Sequence, residues 1–534
     1  MGGFSSLWPW KACPRGTCAQ ALTTVVLSTL ASAGCGKWAD KLACGEQECG
    51  FTKTEWTRIQ GLANVGATPA RPDTSNVHLP VVDAIGTLKA NAVCDPVVQL
   101  GWRLYYETLL SGSVSDKDMT GSYAPTTRPT TNGQVSLSCK SCHDPQHAGS
   151  DITSVPRHVS IGAGWYDVNA QQTLNAARQP VLYWNGRTDS LWAQAAQVME
   201  SPVSMNGHRM KTFWVIVLRY RASFHLAELD TGFDSAIDAL AQLLGPPPDL
   251  GTTDTETFQS QYNDLPPLPG STISSQEIVT RVHVGAAKAI AAYEWLLSSD
   301  GSAFDRFVNE GPDSSALSPA AVRGLRLFIG RASCVDCHNS PLLSDGKFHN
   351  VGIPQVGDHV PTTQTCGAGS SCDCSDGGLG PTCLPAGAHA GHQKLVDPAP
   401  NNLFYCGGPY DDVAPLTHVS DPSPAPAAFL GAWRTPSLRD VALTAPYMHD
   451  GSLATLADVV WHYDQADSSG TLGASELSPL LLTAQDRDDL VAFLESLTGE
   501  PGPKEIVGDP AKAGGDLDGG LSCAPQDGGG VIGP

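Results

Sequence analysis

Two short segments carry the residues with the most definite chemistry: SCKSCH, which supplies Cys139, Cys142 and His143, and ASCVDCH, which supplies Cys334, Cys337 and His338. Each is a C-x-x-C-H run, the attachment pattern of a c-type haem. Cysteines three residues apart lie on one face of a helical turn, so both can bond one porphyrin, and the adjoining histidine reaches the iron from the same side. With 16 Cys and 15 His in 534 residues, roughly 0.01 matches are expected by chance. A zinc ribbon would need its paired motifs much closer together. Two covalently bound c-type haems, and therefore redox work, are the expectation.

The elements that must hold these groups read as mainly α. A chain of 534 residues is too long for one small haem domain, and two domains with separate cores are expected. The 55 Gly and 40 Pro point to long irregular loops. After a leader (residues 1–35), residues 36–90 show no sustained periodicity and read as an irregular extension. A first haem domain is expected over 91–275, its last part a Pro-rich stretch (246–275) unable to sustain regular structure, and a second over 276–500. Apolar spacing predicts an amphipathic helix over 277–298. Ser318 with Pro319, Thr455 with Asp458 and Thr483 with Asp486 read as helix starts. The Cys/Gly/Pro-rich insertion 357–426 reads as surface decoration, and the Gly/Asp/Pro-rich tail 501–534 as disordered.

The net charge of -22 repels nucleic acid and anionic membrane, and would attract a basic protein. Lys11 and Arg15 precede a short apolar run, 21–33, that reads as an export signal and is too short to span a bilayer. LSTLASAGC resembles a bacterial lipobox with Cys35 as the lipidated residue, although Ser32 stands where that motif prefers Leu. Secretion and lipid anchoring both stay open, and the expected location is the periplasm or cell envelope. Besides the four motif cysteines and Cys13, Cys18 and Cys35, nine remain: Cys44, Cys49, Cys94, Cys366, Cys372, Cys374, Cys383, Cys406 and Cys523. Local disulfides are expected within 366–406, in an oxidising compartment.

Around the motifs the chain resembles the bacterial di-haem cytochrome c peroxidases and MauG, a protein-oxidising relative. The resemblance covers most of residues 95–500. It is carried by LYWNGRTDSLWAQA (182–195), RGLRLFIGRASCVDCH (323–338), DGKFHNVGIP (345–354) and WRTPSLRDVALTAPYMHDGSLATLADVVWHYD (433–464). It implies two cytochrome c-like helical domains with one haem each, and a calcium ion and a tryptophan between them. Trp184 matches that tryptophan, an electron relay. Asn169, Thr444 and Pro446 match the calcium ligands, the last two through backbone carbonyls. His449 matches the histidine of the HDG motif near the second haem, with a hydrogen-bonding role. Gln194 matches the distal glutamine of the first haem.

Three positions depart from the peroxidase pattern. SIGAGW puts Ala163 where peroxidases carry a histidine that closes the first iron, so this haem is expected to be open to peroxide unless His147 or His158 substitutes. VMESPVSM puts Ser204 where a catalytic glutamate is expected, with Glu200 a conceivable replacement. Tyr463 stands at the position that holds methionine in the peroxidases and tyrosine in MauG, so a phenolate ligand to the second iron is implied. The expected activity is reduction of hydrogen peroxide at the first haem, with electrons from a small cytochrome c or cupredoxin passing through the second haem. A non-catalytic electron carrier or redox sensor, and MauG-like oxidation of a partner protein, are the alternatives.

Overall fold

The computed structural model describes residues 50–63, 92–114, 130–131, 134–154, 156, 159–166, 168–354, 364–365, 382–383, 403–404, 408–410, 431–471 and 473–512. The leader with Cys35, His158, most of the insertion and the tail beyond 512 lie outside them. The described chain is mainly helical. In order the helices are α1 (Lys53–Gln60), α2 (Pro96–Tyr105), α3 (Leu191–Glu200), α4 (Arg209–Val215), α5 (Arg221–Leu226), α6 (Asp234–Leu244), α7 (Thr255–Asn263), α8 (Ser275–Leu296), α9 (Ala303–Glu310), α10 (Pro319–Ile329), α11 (Leu456–Gln465) and α12 (Ala484–Glu495). A wider π-type turn, Ile216–Tyr220, joins α4 to α5. Four antiparallel two-stranded ladders pair β1 (Thr130–Thr131) with β2 (Gln134–Val135), β3 (Ser298–Asp300) with β8 (Glu500–Gly502), β4 (Phe348–His349) with β7 (Trp433–Arg434), and β5 (Gln364–Thr365) with β6 (Thr382–Cys383).

Helices begin where side chains can satisfy their orphan amides. Ser318 accepts from Ala321 N ahead of Pro319, and Thr455/Asp458 and Thr483/Asp486 form reciprocal capping boxes. Two hydrophobic cores result. In the first, α2, α3 and α4 surround α8, burying Trp102, Tyr105, Trp192, Phe213 and Tyr293. In the second, α10 and α12 cross beside α9 and bury Phe304, Phe307, Leu325, Phe328 and Phe493. Each core is built on a glycine that lets two backbones touch. A Cβ on Gly101 would sit 1.8 Å from Ala289 O, and one on Gly324 1.9 Å from Asp489 O.

Five sequence expectations differ from the structure. Residues 36–90 are not wholly irregular, because Thr52 and Glu55 form a capping box for α1, and Ile59 is buried in the second core. The Pro-rich stretch contains α7, started by Asp254 and pinned by Phe258 at 1% exposure. Helix α8, expected to open the second domain, packs in the first core. It is buried almost all round, so it belongs at the centre of a domain and not at an edge. The tail is ordered as far as 512. β8 pairs with β3, and Ile506 and Val507 are buried at 0% and 6% exposure. Nor is the whole insertion superficial. Phe404 packs against Trp192 and His283, with ring centroids 6.3 and 5.9 Å away.

Candidate functional site

Both C-x-x-C-H segments form the same local structure. Cys139–Ser141 and Cys334–Asp336 are single 3-10 turns, and the amides of His143 and His338 donate to the carbonyls of Cys139 and Cys334 at 2.9 and 3.0 Å. Each turn therefore presents two thiols and an imidazole together. His143 Nδ1 lies 3.2 Å from Gly149 O, and His338 Nδ1 lies 2.6 Å from Leu343 O. A carbonyl can only accept, so each Nδ1 carries a proton, and Nε2 is the ring nitrogen left to bind a metal when the imidazole is neutral. Burial pulls the His338 pKa down to about 4, which keeps that imidazole neutral. Burial also raises the thiols, Cys334 to about 12 and Cys139 further.

The two turns open into one continuous cavity of about 770 Å³ between the two cores. Its walls are largely apolar side chains from both domains, including Ile161, Val198, Leu438, Val460 and Leu494. It is lined by Cys139, Cys142, His143, Cys334, Cys337 and His338, and also by Trp184, Gln194, Ser204, His449, Tyr463, Asn169, Thr444 and Pro446. Residues more than 300 positions apart are thus brought to one space. A flat, largely apolar macrocycle with a metal at its centre matches that chemistry: neutral nitrogen donors, paired thiols and apolar walls at each end.

At the first end, SIGAGW lies against the loop after α3. Ala163 N donates to Ser204 O at 2.7 Å, and a Cβ on Gly162 would lie 2.2 Å from the same oxygen. Ala163 is fully buried beside Leu137. Ser204 Oγ donates to Ser201 Oγ at 3.1 Å. Gln194 Nε2 donates to Tyr183 OH at 3.3 Å, and the Arg187 guanidinium lies over the Tyr183 ring at 3.7 Å while bonding Tyr166 OH. Of the three suggested substitutes, His158 lies outside the described residues and the other two are not in position. His147 lies outside the cavity lining, half-exposed and 3.3 Å from Asp144. Glu200 is clamped by Arg209, with contacts of 2.8 and 2.6 Å. Burial would raise its pKa, but His283 and Arg209 outweigh that and hold it at about 2, so it is a spent ion pair and no proton carrier.

Three rings of the cavity lining touch in series. His449 lies on Trp433 with centroids 4.1 Å apart and planes 21° apart, and Trp184 meets His449 edge-on at 6.4 Å. Burial drives the His449 pKa down to about 3, so the ring is neutral. Trp184 Nε1 donates to Asn169 O at 2.9 Å, and Asn169 N donates to His449 O at 2.7 Å. Asn169 Oδ1 accepts from Ser154 at 3.0 Å, while its buried Nδ2 has no acceptor among the described residues. At the second end, Tyr463 projects from α11 into the cavity, which accounts for its residual exposure. Burial, reinforced by Cys334 and Cys337, pushes its hydroxyl well above the usual phenol range.

Several residues with a clear place here carry no marked signal in the sequence. His349, inside DGKFHN, lies between Asp345 (3.0 Å) and Glu476 (2.8 Å). Asp345 first, then Cys337 and Glu476, raise its pKa to about 11, so it is a cation at the second end. Trp433, Tyr183, Glu294 and Arg434 also line the cavity. Only the neighbouring motif residues could have pointed to them.

Two C-x-x-C-H turns, each with an oriented imidazole and opening on a shared apolar cavity between two helical domains, define a di-haem c-type protein. Residues 95–244 match the family model described as di-haem cytochrome c peroxidase. The chain is 30% identical over 371 residues to cytochrome-c peroxidase IdrP1 of Pseudomonas sp. (strain SCT), covering 69% of this chain and 77% of that one. It is 26% identical over 443 residues to the methylamine utilization protein MauG of Methylorubrum extorquens, covering 82% and 90%. The crystal structure of the diheme peroxidase BthA from Burkholderia thailandensis E264 matches with a TM-score of 0.43 at 20% identity, over 80% of this chain and 92% of that one. The chain belongs to the di-haem cytochrome c peroxidase and MauG family, and is a haem oxidoreductase of that type. No helix among the described residues is long and apolar enough to cross a membrane.

Proposed function

We propose that the protein reduces hydrogen peroxide at the haem held by Cys139, Cys142 and His143, drawing electrons through the haem held by Cys334, Cys337 and His338. The observation that carries this reading is the asymmetry of the cavity's two ends. On the side of the first turn the cavity is lined by Gly162, next to the buried Ala163, neither of which offers a side-chain ligand atom, and by Gln194, which offers a hydrogen bond to a small oxygen ligand. Facing the second is Tyr463, which offers one oxygen donor. The haems supply one-electron chemistry and a site for peroxide, while the chain orients, excludes water and relays. Trp184 and His449, with Trp433, form a continuous aromatic contact in the cavity wall that would serve as the relay between the haems.

Ser204 cannot move a proton as a glutamate would, so turnover by this site should be slow against a peroxidase with a distal acid, by about a hundredfold. The same serine is the observation behind a second reading, slow oxidation of a partner protein in the manner of the MauG relative. A calcium ion at Asn169 Oδ1 and the carbonyls of Thr444 and Pro446 would suit hard-cation chemistry, and all three residues line the same cavity. The donor is a basic cytochrome c or cupredoxin, given the -22 charge, and the place of work is the periplasm or cell envelope, with anchoring at Cys35 open.

Absorption and EPR titration of the purified protein with peroxide tests the assignment. Two haems per chain are expected, one high-spin and one low-spin, with both spectra changing on addition of peroxide. An unchanged spectrum would convert the reading to a carrier or sensor, and a colourless or single-haem protein would sink it.

A further inference from the structure

WRTPSLRD places two arginines five residues apart, and both are buried, Arg434 at 4% and Arg439 at 1% exposure. Their partners differ in kind. Arg439 is neutralised: its Nη1 lies 2.6 Å from Asp305 Oδ2, while Nε and Nη2 donate to the carbonyls of Pro341 and Leu62. Arg434 meets only neutral acceptors. Its Nε donates to Tyr183 O at 3.1 Å, Nη1 to Gln179 Oε1 at 2.7 Å and more weakly to Thr435 O at 3.4 Å, and Nη2 to Gln171 Oε1 at 3.0 Å. No carboxylate pairs with it among the described residues, and one Nη2 hydrogen is left over from its five donors.

A buried cation without a counter-charge costs several kcal/mol, about the whole margin of stability of a domain. Burial lowers the Arg434 pKa only to about 10, so the side chain stays charged at neutral pH. Arg434 lines the haem cavity, but the acids lining the same cavity are committed elsewhere. Glu476 is held by His349 and by Asn350 N, Asp336 by Arg58, and Glu294 is kept protonated near neutrality by burial, which raises its pKa to about 8. The missing negative charge must therefore come from what fills the cavity.

We propose that Arg434 binds a propionate carboxylate of one of the two haems, with Gln171 and Gln179 holding the guanidinium in place from the first domain. Because β7 carries Arg434 on the second-domain side and Gln179 and Tyr183 belong to the first, this anchor ties haem position to the domain interface. The inference rests on the two-haem reading of the cavity. A fixed cation beside a propionate keeps it ionised and raises the potential of that haem. The other titratable groups on the elements against Arg434 are Tyr183, Lys347, His349 and His449. His349 is held cationic by its two carboxylates and His449 neutral by burial, and none of the four brings a carboxylate.

The test is spectroelectrochemistry of the holoprotein from pH 5 to 9, for wild type, Arg434→Gln and Arg434→Lys, with haems per chain counted first. In Arg434→Gln one of the two potentials should fall and gain a pH dependence approaching ~59 mV per tenfold change in proton activity, over and above any that the titration of Glu294 gives the wild type. Arg434→Lys should restore most of the potential. Unchanged potentials in Arg434→Gln carrying two haems would overturn the proposal. So would a wild-type potential that shifts with added chloride, which would show Arg434 binding a small anion instead. If the variants do not load haem, resonance Raman of the wild type decides, since propionate bending bands should move in D2O and immobile bands refute the contact. A wild type with fewer than two haems would fail the underlying reading, not this one.

Discussion

At Tyr463 burial alone would keep the phenol protonated, since the hydroxyl is pushed up by its apolar surroundings and by the two nearby cysteines. Only a strong local positive charge can reverse that, and a ferric iron held by His338 would be one. Tyr463→Phe should therefore raise the potential of the second haem and abolish any phenolate-to-iron absorption band, with the first haem unmoved. A phenylalanine variant with the wild-type spectrum would show that Tyr463 is packed and not ligating. Glu294 shows the opposite balance. Its carboxyl is 4% exposed, lines the first end of the cavity, and is raised by burial to about 8. A folded-state pKa above the unfolded value of about 4.3 means that the group's contribution to stability is fully present below pH ~4.3 and lost as pH rises through 8. Glu294→Gln removes that dependence. Urea unfolding at pH 5, 7 and 9 should show the variant gaining on wild type as pH rises, levelling above 8, whereas parallel curves would mean that Glu294 is more solvated than its burial implies.

At the scale of elements, each core depends on one glycine where an earlier helix crosses a later one. Alanine at 101 would put a methyl 1.8 Å from Ala289 O on α8, and at 324 one 1.9 Å from Asp489 O on α12. Backbone cannot yield as a side-chain tip can, so each substitution should cost at least about 1–3 kcal/mol. Thermal melts followed by the absorbance of each haem should show Gly101→Ala loosening the first domain and Gly324→Ala the second. Loss at both haems from either variant would mean that the domains unfold as one. The helices themselves were legible where a cap and an apolar face coincide, as at Ser318, Thr455 and Thr483. Helix α1 escaped because eight residues with a single fully buried side chain leave no periodicity to read. α7 escaped because prolines on both sides mask a nine-residue helix held by Phe258. In the site, attachment motifs and distal positions could be read from spacing and likeness. Arg434 and Glu294 could not, because a charged residue in sequence looks solvated until the fold buries it.

At the scale of the whole molecule, the first and last described segments cross between the two cores and tie them together. α1 lies before the first haem domain in sequence yet buries Ile59 in the second core, and Leu62 O accepts from Arg439 there. The C-terminal segment does the reverse. After α12 closes the second core, β8 pairs with β3 at the domain junction, and the chain then runs onto the first core. There Tyr293 OH donates to Ile506 O at 2.9 Å, Tyr106 OH to Val507 O at 2.8 Å, and Trp102 Nε1 to Gly508 O at 2.8 Å. Trp102 and Tyr293 belong to α2 and α8, the helices whose crossing builds the first domain, and Tyr106 caps α2, so without the strap three polar groups would lose their partners. Unmade buried bonds cost about 1–3 kcal/mol each, and the exposed Ile506 site adds a hydrophobic loss of about 1.5–3 kcal/mol. A chain ending at residue 499 should thus destabilise the first domain, far away in sequence, more than the second domain it directly follows. Hydrogen exchange of α2 and α8 against α10 and α12, with a chain ending at residue 512 as control, measures this. Equal loss of protection in all four helices would mean that the strap braces the interface between the domains and not the first core.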